Sequence, residues 1–482
     1  MSNLTELSQR GSAARPLRVA VIGSGPAGVY AADILTKSEQ VKSGELVVSI
    51  DLFDRYPAPF GLIRYGVAPD HPRIKGIIQA LHKVMDRGDI RFFGNVDYGT
   101  DLTLADLQKH YDAVIFATGA IDDAALNIPG IDLKGSFGGA DFVSWYDGHP
   151  DVSRHWPLEA KEIAVLGNGN VALDVARVLS KHADDLLVTE IPENVYAELK
   201  KSPVTDVHVF GRRGPAQIKF TPLELRELSH SRDVDIILYP EDFEFDEASD
   251  EAIKTNNQVK TMVGTLTNWL VEQPEESTAS RRLHLHFLHN PVEILGENGE
   301  VTGIKFERTE LDGTGNARGT GEFLEYPVQA VYRSIGYFGS ALPEIEFDAG
   351  RGVVSNAGGR VLGADGEHTP GIYATGWIKR GPVGLIGHTK SDALETVTYL
   401  LEDLAELPFA EAGAEDAIVN LLEERGVEFT SWDGWHALDA HEKSLGESFD
   451  PSTLGLELTR ERVKVVAREE MVNISRAINA EV

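Results

Sequence analysis

The sequence predicts an α/β protein with two domains, each built on a parallel sheet, and three observations support this prediction. Short apolar runs of strand length alternate along the chain with longer runs of helical periodicity, and this alternation favours parallel strands joined by helices. Two of the apolar runs end in glycine-rich turns, at residues 23–28 and 167–172. The chain has 482 residues, which is too long for one compact core, so we expect two or three domains.

The first glycine-rich turn follows a predicted strand over residues 17–22 and opens a predicted helix over residues 29–35. Glycine allows the tight turn and lets backbone N–H groups approach a pyrophosphate, while the helix packs close to the sheet. The next predicted strand, residues 46–53, ends at Asp54, whose carboxylate can accept hydrogen bonds from ribose hydroxyls. These features predict a site for FAD or NAD. The turn consists of Gly23, Ser24, Gly25, Pro26, Ala27 and Gly28.

The second glycine-rich turn follows a predicted strand over residues 163–166 and opens a predicted helix over residues 171–179. The strand after that helix, residues 206–210, leads into Arg212 and Arg213 instead of an acid. Guanidinium groups bind a 2′-phosphate, which an acid would repel, so this segment predicts a site for NADP. A solvated basic turn is the alternative interpretation of the two arginines. The turn consists of Gly167, Asn168, Gly169, Asn170, Val171 and Ala172.

Both turns occur between a strand and a helix, and this context predicts two Rossmann-like dinucleotide-binding domains. Strands that end in small residues, at 113–119 and 371–376, flank the second turn and resemble the endings of nucleotide domains. We therefore expect the NADP domain to be inserted into the FAD domain. The expected boundaries are a flexible tail at 1–16, an FAD-binding domain at 17–120 and 338–482, and an NADP-binding domain at 121–337. The acidic stretch 241–257 is predicted to be a surface loop.

Composition excludes several functional classes. The formal net charge of −31 disfavours nucleic acid and anionic membranes as partners. The absence of cysteine excludes disulfides, thiolate-bound iron–sulfur clusters and a redox-active pair of thiols, so electrons would have to leave a bound flavin directly. We predict no metal site. No apolar stretch has the length of a membrane span, and the amino terminus does not resemble a signal peptide, so we expect a soluble cytoplasmic protein.

The segment after Asp54, residues 57–72, is rich in proline and glycine and predicts a fixed irregular loop beside a cofactor site. This segment resembles the one found in ferredoxin–NADP reductases of the adrenodoxin reductase type. The resemblance extends over nearly the whole chain after the tail. Its most specific part is residues 376–387, which read Gly-Trp-Ile-Lys-Arg-Gly-Pro-Val-Gly-Leu-Ile-Gly.

The resemblance implies a FAD-dependent ferredoxin–NADP reductase, in which hydride passes between NADPH and FAD and single electrons pass between FAD and a ferredoxin. An NADPH-dependent diaphorase or quinone reductase that does not use ferredoxin is the alternative enzyme. A regulator that binds NADPH without turnover is a third possibility. Ferredoxins are generally acidic, so a local basic patch is expected on this acidic chain, with Lys379 and Arg380 as candidates.

The resemblance also implies which residues contact the cofactors. At position 54 the family usually has glutamate, so the shorter Asp54 leaves the length of the ribose contact open. The implied FAD contacts are Gly23, Gly25, Pro26, Ala27, Gly28, Asp54, Leu62, Val96, Trp377, Gly384, Leu385 and Ile386. The implied NADP contacts are Asn168, Gly169, Asn170, Val171, Arg212, Arg213, Glu224 and Gly384.

His71 and Glu227 match polar residues near the contact between nicotinamide and flavin, and we predict them as the catalytic residues. They are expected to tune position and protonation, because the cofactors carry the hydride chemistry themselves. Trp377 is expected to cover one side of the flavin or nicotinamide. The alternatives are a structural hydrogen bond for His71, a solvated helix surface for Glu227 and ordinary core packing for Trp377.

Overall fold

The computed structural model describes residues 11–384 and 386–477, apart from the side chain of Ile386. Within these residues two large sheets, of seven and six strands, organise the fold. The strands, in chain order, are β1 (Leu17–Ile22), β2 (Val48–Phe53), β3 (Ile90–Phe93), β4 (Ala113–Phe116), β5 (Asp122–Asp123), β6 (Ser136–Gly138), β7 (Glu162–Leu166), β8 (Asp206–Phe210), β9 (Val234–Leu238), β10 (Arg281–His286), β11 (His289–Glu297), β12 (Glu300–Leu311), β13 (Ala317–Tyr326), β14 (Ala330–Arg333), β15 (Tyr337–Phe338), β16 (Phe347–Asp348), β17 (Val353–Val354), β18 (Asn356–Ala357), β19 (Arg360–Leu362) and β20 (His368–Ala374).

Helices connect the strands and cover the two sheets. The α-helices, in chain order, are α1 (Pro26–Thr36), α2 (Glu39–Lys42), α3 (Leu62–Tyr65), α4 (Pro72–Lys75), α5 (Ile78–Met85), α6 (Leu104–His110), α7 (Gly139–Tyr146), α8 (Asn170–Ser180), α9 (Glu193–Leu199), α10 (Pro222–Leu228), α11 (Glu247–Thr255), α12 (Asn257–Glu272), α13 (Trp377–Arg380), α14 (Ile386–Glu402), α15 (Glu415–Glu424), α16 (Trp432–Glu447) and α17 (Arg468–Arg476). Short 3-10 helices lie at Ala183–Leu186, Pro215–Gln217, Pro240–Asp242 and Pro451–Leu454.

The seven-stranded sheet has the order β18-β19-β20-β4-β1-β2-β3. Its strands β1 to β4 and β20 run parallel, and β1 lies between β2 and β4. Every residue of β1 is buried, which explains why its sequence is an almost unbroken apolar run. The strands come from residues 17–116 and 356–374, on both sides of the second glycine-rich turn. We call this part of the chain the outer domain.

The six-stranded sheet has the order β6-β14-β7-β8-β10-β9, and all of its strand pairs are parallel. Its strands all come from residues 136–333, and we call this part the inserted domain. The two chain crossings between the domains pair with each other as β5 and β15. The two sheets, each with helices between parallel strands, confirm the predicted fold class of two Rossmann-like domains with one inserted into the other.

A three-stranded antiparallel sheet, β11-β12-β13, covers one face of the six-stranded sheet. Its apolar side chains, such as Ile304 and Phe306, pack against Leu166 and Phe210 of the inserted domain. This layer was not predicted from the sequence. Strand β10 leads into this layer, and its buried His286 stacks on Phe210 of the neighbouring strand.

The acidic stretch 241–257 was predicted to be a surface loop, and this was wrong. Most of it forms helix α11 (Glu247–Thr255). The Asp246 side chain accepts a hydrogen bond from the backbone N–H of Ser249 and so caps the first turn of the helix. Acidic residues near that end stabilise the helix dipole, which outweighs the turn-forming composition of the segment.

The described part of the predicted tail, residues 11–16, makes specific contacts with the outer domain. The Arg15 guanidinium pairs with Asp112 at 2.9 Å, and Ser12 and Arg15 form an isolated β-bridge. The rest of the predicted tail, residues 1–10, lies outside the described residues. Among the described helices, none is long and apolar enough to cross a membrane.

Candidate active site

The first glycine-rich turn joins the end of β1 to the start of α1 at Pro26. A side chain at Gly28 would place its Cβ 1.9 Å from the carbonyl oxygen of Gly23, so the close approach of helix and strand requires glycine there. The first turn of α1 carries no acidic residue, and its free backbone N–H groups point out of the helix end. The arrangement is a suitable anion site for a pyrophosphate.

Asp54 lies at the end of β2, beside this turn, as predicted. Its carboxylate accepts hydrogen bonds from the backbone N–H and the hydroxyl of Ser24, at 2.8 and 2.6 Å, and from the backbone N–H of Tyr56, at 2.9 Å. Burial raises the pKa of Asp54, although these hydrogen bonds oppose the increase. The shorter acid therefore binds the chain itself with three of its roughly four acceptor positions, which leaves about one for a ribose hydroxyl.

The irregular segment after Asp54 lies over the glycine-rich turn. The backbone N–H of Phe60 donates to the carbonyl of Ser24 at 3.1 Å, and a Cβ on Gly61 would come within 3.1 Å of the Cα of Gly25. The segment is irregular except for the single helical turns α3 and α4. It thus forms a fixed wall beside the turn.

The remaining predicted FAD contacts lie at different depths around the turn. Val96 is buried and donates its backbone N–H to the carbonyl of Asp54 at 2.9 Å. Leu62 and Trp377 are half-buried and begin the short helices α3 and α13. A Cβ on Gly376, the residue before Trp377, would lie 2.6 Å from the Cβ of Ala27, so this segment packs on the start of α1. Gly384 is exposed, whereas Leu385 and the side chain of Ile386 lie outside the described residues.

The second glycine-rich turn joins β7 to α8 with the same geometry. A Cβ on Gly167 would lie 2.1 Å from the carbonyl oxygen of Ser334, so glycine is required here as well. The Asn170 side chain accepts a hydrogen bond from the backbone N–H of Thr221 at 2.9 Å, which ties the turn to the start of α10. Residues 167–171 are all partly exposed, and the first turn of α8 carries no acidic residue.

Arg212 and Arg213 follow β8 directly, as predicted. Arg212 is exposed and Arg213 is half-buried, and the hydroxyl of Thr309 donates to the carbonyl of Arg212 at 2.8 Å. No carboxylate of the described residues lies within ion-pair distance of either guanidinium group. Both cations are therefore available to bind an anion at the end of the strand.

His71 lies between two carboxylates of the inserted domain, although it belongs to the loop of the outer domain. Its Nε2 lies 2.7 Å from Asp174 Oδ1 and its Nδ1 lies 2.5 Å from Glu227 Oε2. The ring is 2% exposed. Burial lowers the pKa of His71, but the hydrogen bond and charge of Asp174 outweigh this effect, so the pKa is raised. The structure thus brings the two predicted catalytic residues, His71 and Glu227, into direct contact.

Glu224 lies in the same group of side chains. It is 4% exposed, and its Oε2 has no hydrogen-bond partner among the described residues. Burial raises the pKa of Glu224, and the negative charge of Asp174 adds to the increase. Glu224 was predicted as an NADP contact, and the structure places it within electrostatic reach of His71 as a buried carboxyl group with an unfilled hydrogen-bonding position.

A family model matches part of the chain, and the relatives match nearly all of it. The family model for pyridine nucleotide-disulphide oxidoreductases matches residues 17–207. NADPH-ferredoxin reductase FprA of Mycobacterium tuberculosis is 39% identical over 475 residues, which are 95% of this chain and 99% of that protein. Mitochondrial NADPH:adrenodoxin oxidoreductase of Bos taurus is 37% identical over 444 residues, 89% of this chain and 88% of the relative. The chain belongs to the family of NADPH-ferredoxin and NADPH:adrenodoxin reductases.

A solved structure agrees with the assignment. Mycobacterium tuberculosis FprA in complex with NADPH matches with a TM-score of 0.85 and 38% identity, covering 96% of this chain and all of that one. The resemblance to the adrenodoxin reductase type is therefore confirmed.

Two residues of this oxidoreductase do not lie as expected. Lys379 was predicted as part of an exposed docking patch, but it is only 5% exposed and pairs with Asp392 at 3.1 Å and Glu395 at 2.6 Å. Arg380 is half-buried and lies 3.7 Å from Asp392. The acidic side chains of α14 neutralise both cations, so Lys379 is excluded as a docking residue and Arg380 offers little free charge.

Asp174 and Arg177 belong to the site of this oxidoreductase, but the sequence reasoning gave them no role. Both lie on α8, three positions apart, and Arg177 Nη1 donates to Asp174 Oδ1 at 2.9 Å. The sequence could have indicated them, because an acid and an arginine stand among mostly apolar residues in a predicted helix. Such a pair in a buried position requires a polar partner from elsewhere in the fold.

Proposed function

We propose that the protein is a FAD-dependent ferredoxin–NADP(+) reductase that moves hydride between NADPH and FAD and exchanges single electrons with a ferredoxin. The observation that carries the proposal is the presence of two dinucleotide turns of different chemistry. One leads to Asp54, and the other leads to two arginines that have no carboxylate partner among the described residues. The relatives named NADPH-ferredoxin reductase and NADPH:adrenodoxin oxidoreductase support the same reaction.

The residues at the first turn fit FAD. The close approach at Gly28 and the open helix end suit its pyrophosphate, and Asp54 has about one acceptor position left for the ribose. When bound, FAD would supply the acceptance of hydride and the delivery of single electrons. We assign its contacts to Gly23, Gly25, Pro26, Ala27, Gly28, Asp54, Leu62, Val96, Trp377, Gly384, Leu385 and Ile386.

The residues at the second turn fit NADPH. Arg212 and Arg213 lie at the ribose end of the turn without an ion-pair partner in the described part of the chain, and a 2′-phosphate would provide one. Glu224 feels the charge of His71, and its Oε2 has an unfilled hydrogen-bonding position among the described residues that suits a polar group of the nicotinamide end. We assign the contacts of NADPH to Asn168, Gly169, Asn170, Val171, Arg212, Arg213, Glu224 and Gly384.

In hydride transfer, the side chains of the protein position the two nucleotides and hold a proton near the place where they meet. His71 and Glu227 face each other across the boundary between the two domains, so they fix the place where the two nucleotides meet. The raised pKa of His71 favours a ring that holds a proton between two carboxylates. Residues 56–60 of the loop are buried and exclude water from the side of the first turn. Trp377 is available to cover a flat ring.

We also propose the domain boundaries 17–120 with 338–482 and 121–337, and a location in the cytoplasm. The sheet memberships support the boundaries, since no strand of one large sheet lies in the range of the other among the described residues. The partner is a ferredoxin. Its docking surface does not include Lys379, because that side chain is buried.

Two measurements test the proposed function. The purified protein should be yellow, release FAD on denaturation, and lose its flavin absorbance when NADPH is added without oxygen. Protein that contains no FAD after refolding with FAD present would contradict the proposal.

The second measurement identifies the electron acceptor. Reduction of cytochrome c by NADPH should depend on an added ferredoxin from the same cell, and the rate should saturate with its concentration. If the rate without ferredoxin is equal to the rate with it, while quinones are reduced quickly, the protein is a diaphorase or quinone reductase instead.

A further inference from the structure

Arg177 is a buried arginine of α8 that reaches the loop carrying His71. Its side chain is 1% exposed, and its Nε and Nη2 donate to the two carboxylate oxygens of Asp70 at 2.8 Å each. Lys181, one turn further along, also donates to Asp70 at 2.8 Å. Because Asp70 directly precedes His71 and belongs to the outer domain, this bidentate ion pair fixes the loop relative to the helix of the inserted domain.

The same guanidinium group also contacts both members of the hydrogen bond between His71 and Asp174. Arg177 Nη1 donates to Asp174 Oδ1 at 2.9 Å, and Nη2 lies 3.0 Å from His71 Nε2. When His71 Nε2 carries a proton, it donates to Asp174, which lies at 2.7 Å. When that nitrogen is unprotonated, it accepts from Arg177. His71 thus has a partner at Nε2 in either state.

We propose that Arg177 is a positioning residue for His71, which holds the ring between Asp174 and Glu227 and limits how readily it becomes charged. Only the expected effect on flavin reduction rests on the proposed function, which places His71 where the two nucleotides meet. Neither the relatives' names nor the family match assigns any role to Arg177.

The charges around His71 determine in which direction its pKa should change when Arg177 is removed. Carboxylates of α8 and α10 face the ring, the carboxylate of Asp70 lies on the far side of Arg177, and Arg177 is the cation in contact with the ring among the described residues. Removal of Arg177 would leave this group with excess negative charge, which favours the charged imidazolium. The groups are Asp174 and Arg177 of α8, Glu224 and Glu227 of α10, and Asp70 of the loop with Lys181 on its far side.

Titration of His71 by NMR in the FAD-containing protein tests the proposal. Histidine labelled with 13C at the ring carbon is incorporated, and the signal of His71 is identified by its absence in His71→Gln. In Arg177→Gln the midpoint of the His71 titration should rise by about one pH unit relative to the unchanged protein. Arg177→Lys keeps the charge but cannot bind Asp70 bidentately and reach His71 as well, so its midpoint should rise by less.

Lys181→Gln is the matched control, because it removes a cation from Asp70 without a contact to His71. Its midpoint should change less than that of Arg177→Gln. A midpoint in Arg177→Gln that is unchanged or lower, or one that Lys181→Gln raises equally, would overturn the proposal. If Arg177→Gln does not fold, Arg177→Lys decides: a higher midpoint supports the proposal and an unchanged one overturns it.

The pH profile of flavin reduction by NADPH gives the functional consequence. In Arg177→Gln the limb that reports His71 should move to higher pH with the NMR midpoint. The NMR titration does not require turnover. If the unchanged protein does not oxidise NADPH, the proposed function is refuted, whereas a midpoint that rises in Arg177→Gln still supports the role of Arg177.

Discussion

Lys464 Nζ lies 2.7 Å from Glu190 Oε1 and so joins the carboxy-terminal segment of the outer domain to the inserted domain. Lys75, also from the outer domain, lies 2.6 Å from the same oxygen, and both lysines face Asp147. Burial lowers the pKa of Lys464 to about 8, against the opposing effect of Glu190. Two lysines of one domain therefore hold two acids of the other in a buried group.

Replacement of Lys464 by methionine should destabilise the protein by about 3 kcal/mol, because breaking a buried ion pair leaves part of the Glu190 charge without a partner. Urea unfolding measures this loss. Lys443→Met is the matched control, since Lys443 also pairs with an acid, Asp439, but is 50% exposed. It should cost less than about 1 kcal/mol. Equal losses in the two variants would show that the buried pair does not stabilise the contact between the domains.

The unpaired arginines predict a strong preference for NADPH over NADH. In the double variant Arg212→Ala with Arg213→Ala, the Kd of NADPH should increase more than about a hundredfold, because each charge-assisted contact contributes about 1.5 to 3 kcal/mol. The Kd of NADH should change little, since it has no 2′-phosphate. Arg226→Ala, at an exposed position of α10, is the control for general charge. An equal loss for both nucleotides would show that the pair does not bind the phosphate.

Local patterns predicted much of the fold. The strands at Leu17–Ile22 and Asp206–Phe210 have the predicted bounds, because each is a short, mostly apolar run that leads into a turn with glycine. The antiparallel layer over the inserted domain and helix α11 were missed. Their stability comes from packing across the sheet and from the cap at Asp246, and neither gives a strong signal in a short window of sequence.

The site was predicted only in part, for a physical reason. Asp54, His71 and Arg212 stand in or beside motifs shared with the adrenodoxin reductase type, so their positions in the sequence indicated their roles. The ion pair between Asp70 and Arg177 joins residues 107 positions apart, and no local pattern specifies such a contact. Lys379 shows the converse error, because its charge is visible in the sequence whereas the acids of α14 that neutralise it depend on the fold.

Several histidines lie buried and polar between the six-stranded sheet and its antiparallel cover. His208 Nδ1 lies 3.0 Å from His286 Nε2, and His289 Nε2 lies 2.8 Å from the hydroxyl of Tyr326. Burial, with repulsion between the rings, lowers the pKa of His208 to about 3 and that of His286 well below its usual value. Burial lowers the pKa of His289 to about 4. All three rings are therefore neutral at pH 7.

These histidines predict that the protein loses stability in mild acid. Each binds a proton near pH 6.5 when unfolded but only at much lower pH when folded, so stability falls as the pH drops below 6.5. Each ring should remove about 2 kcal/mol between pH 7 and pH 5. The free energy of unfolding is measured by urea at several pH values, and its decrease between pH 7 and pH 5 should be smaller in His208→Leu than in the unchanged protein. His230→Gln, at an exposed position, is the control, and an unchanged decrease in His208→Leu would contradict the prediction.

Because of the close contact at Gly28, its replacement by alanine should weaken FAD binding while the inserted domain still folds. A Cβ there would lie 1.9 Å from the carbonyl oxygen of Gly23, so the turn must open and its N–H groups must leave the pyrophosphate. The FAD content per chain, read from the ratio of visible to ultraviolet absorbance, should fall more than about tenfold if roughly 1.4 kcal/mol or more of binding energy is lost. The control is Gly264→Ala in α12, where a Cβ meets no atom within 4 Å and alanine favours the helix. NADPH affinity should survive in Gly28→Ala, because the second turn is unchanged, and a fully flavinated Gly28→Ala protein would show that this turn does not hold FAD.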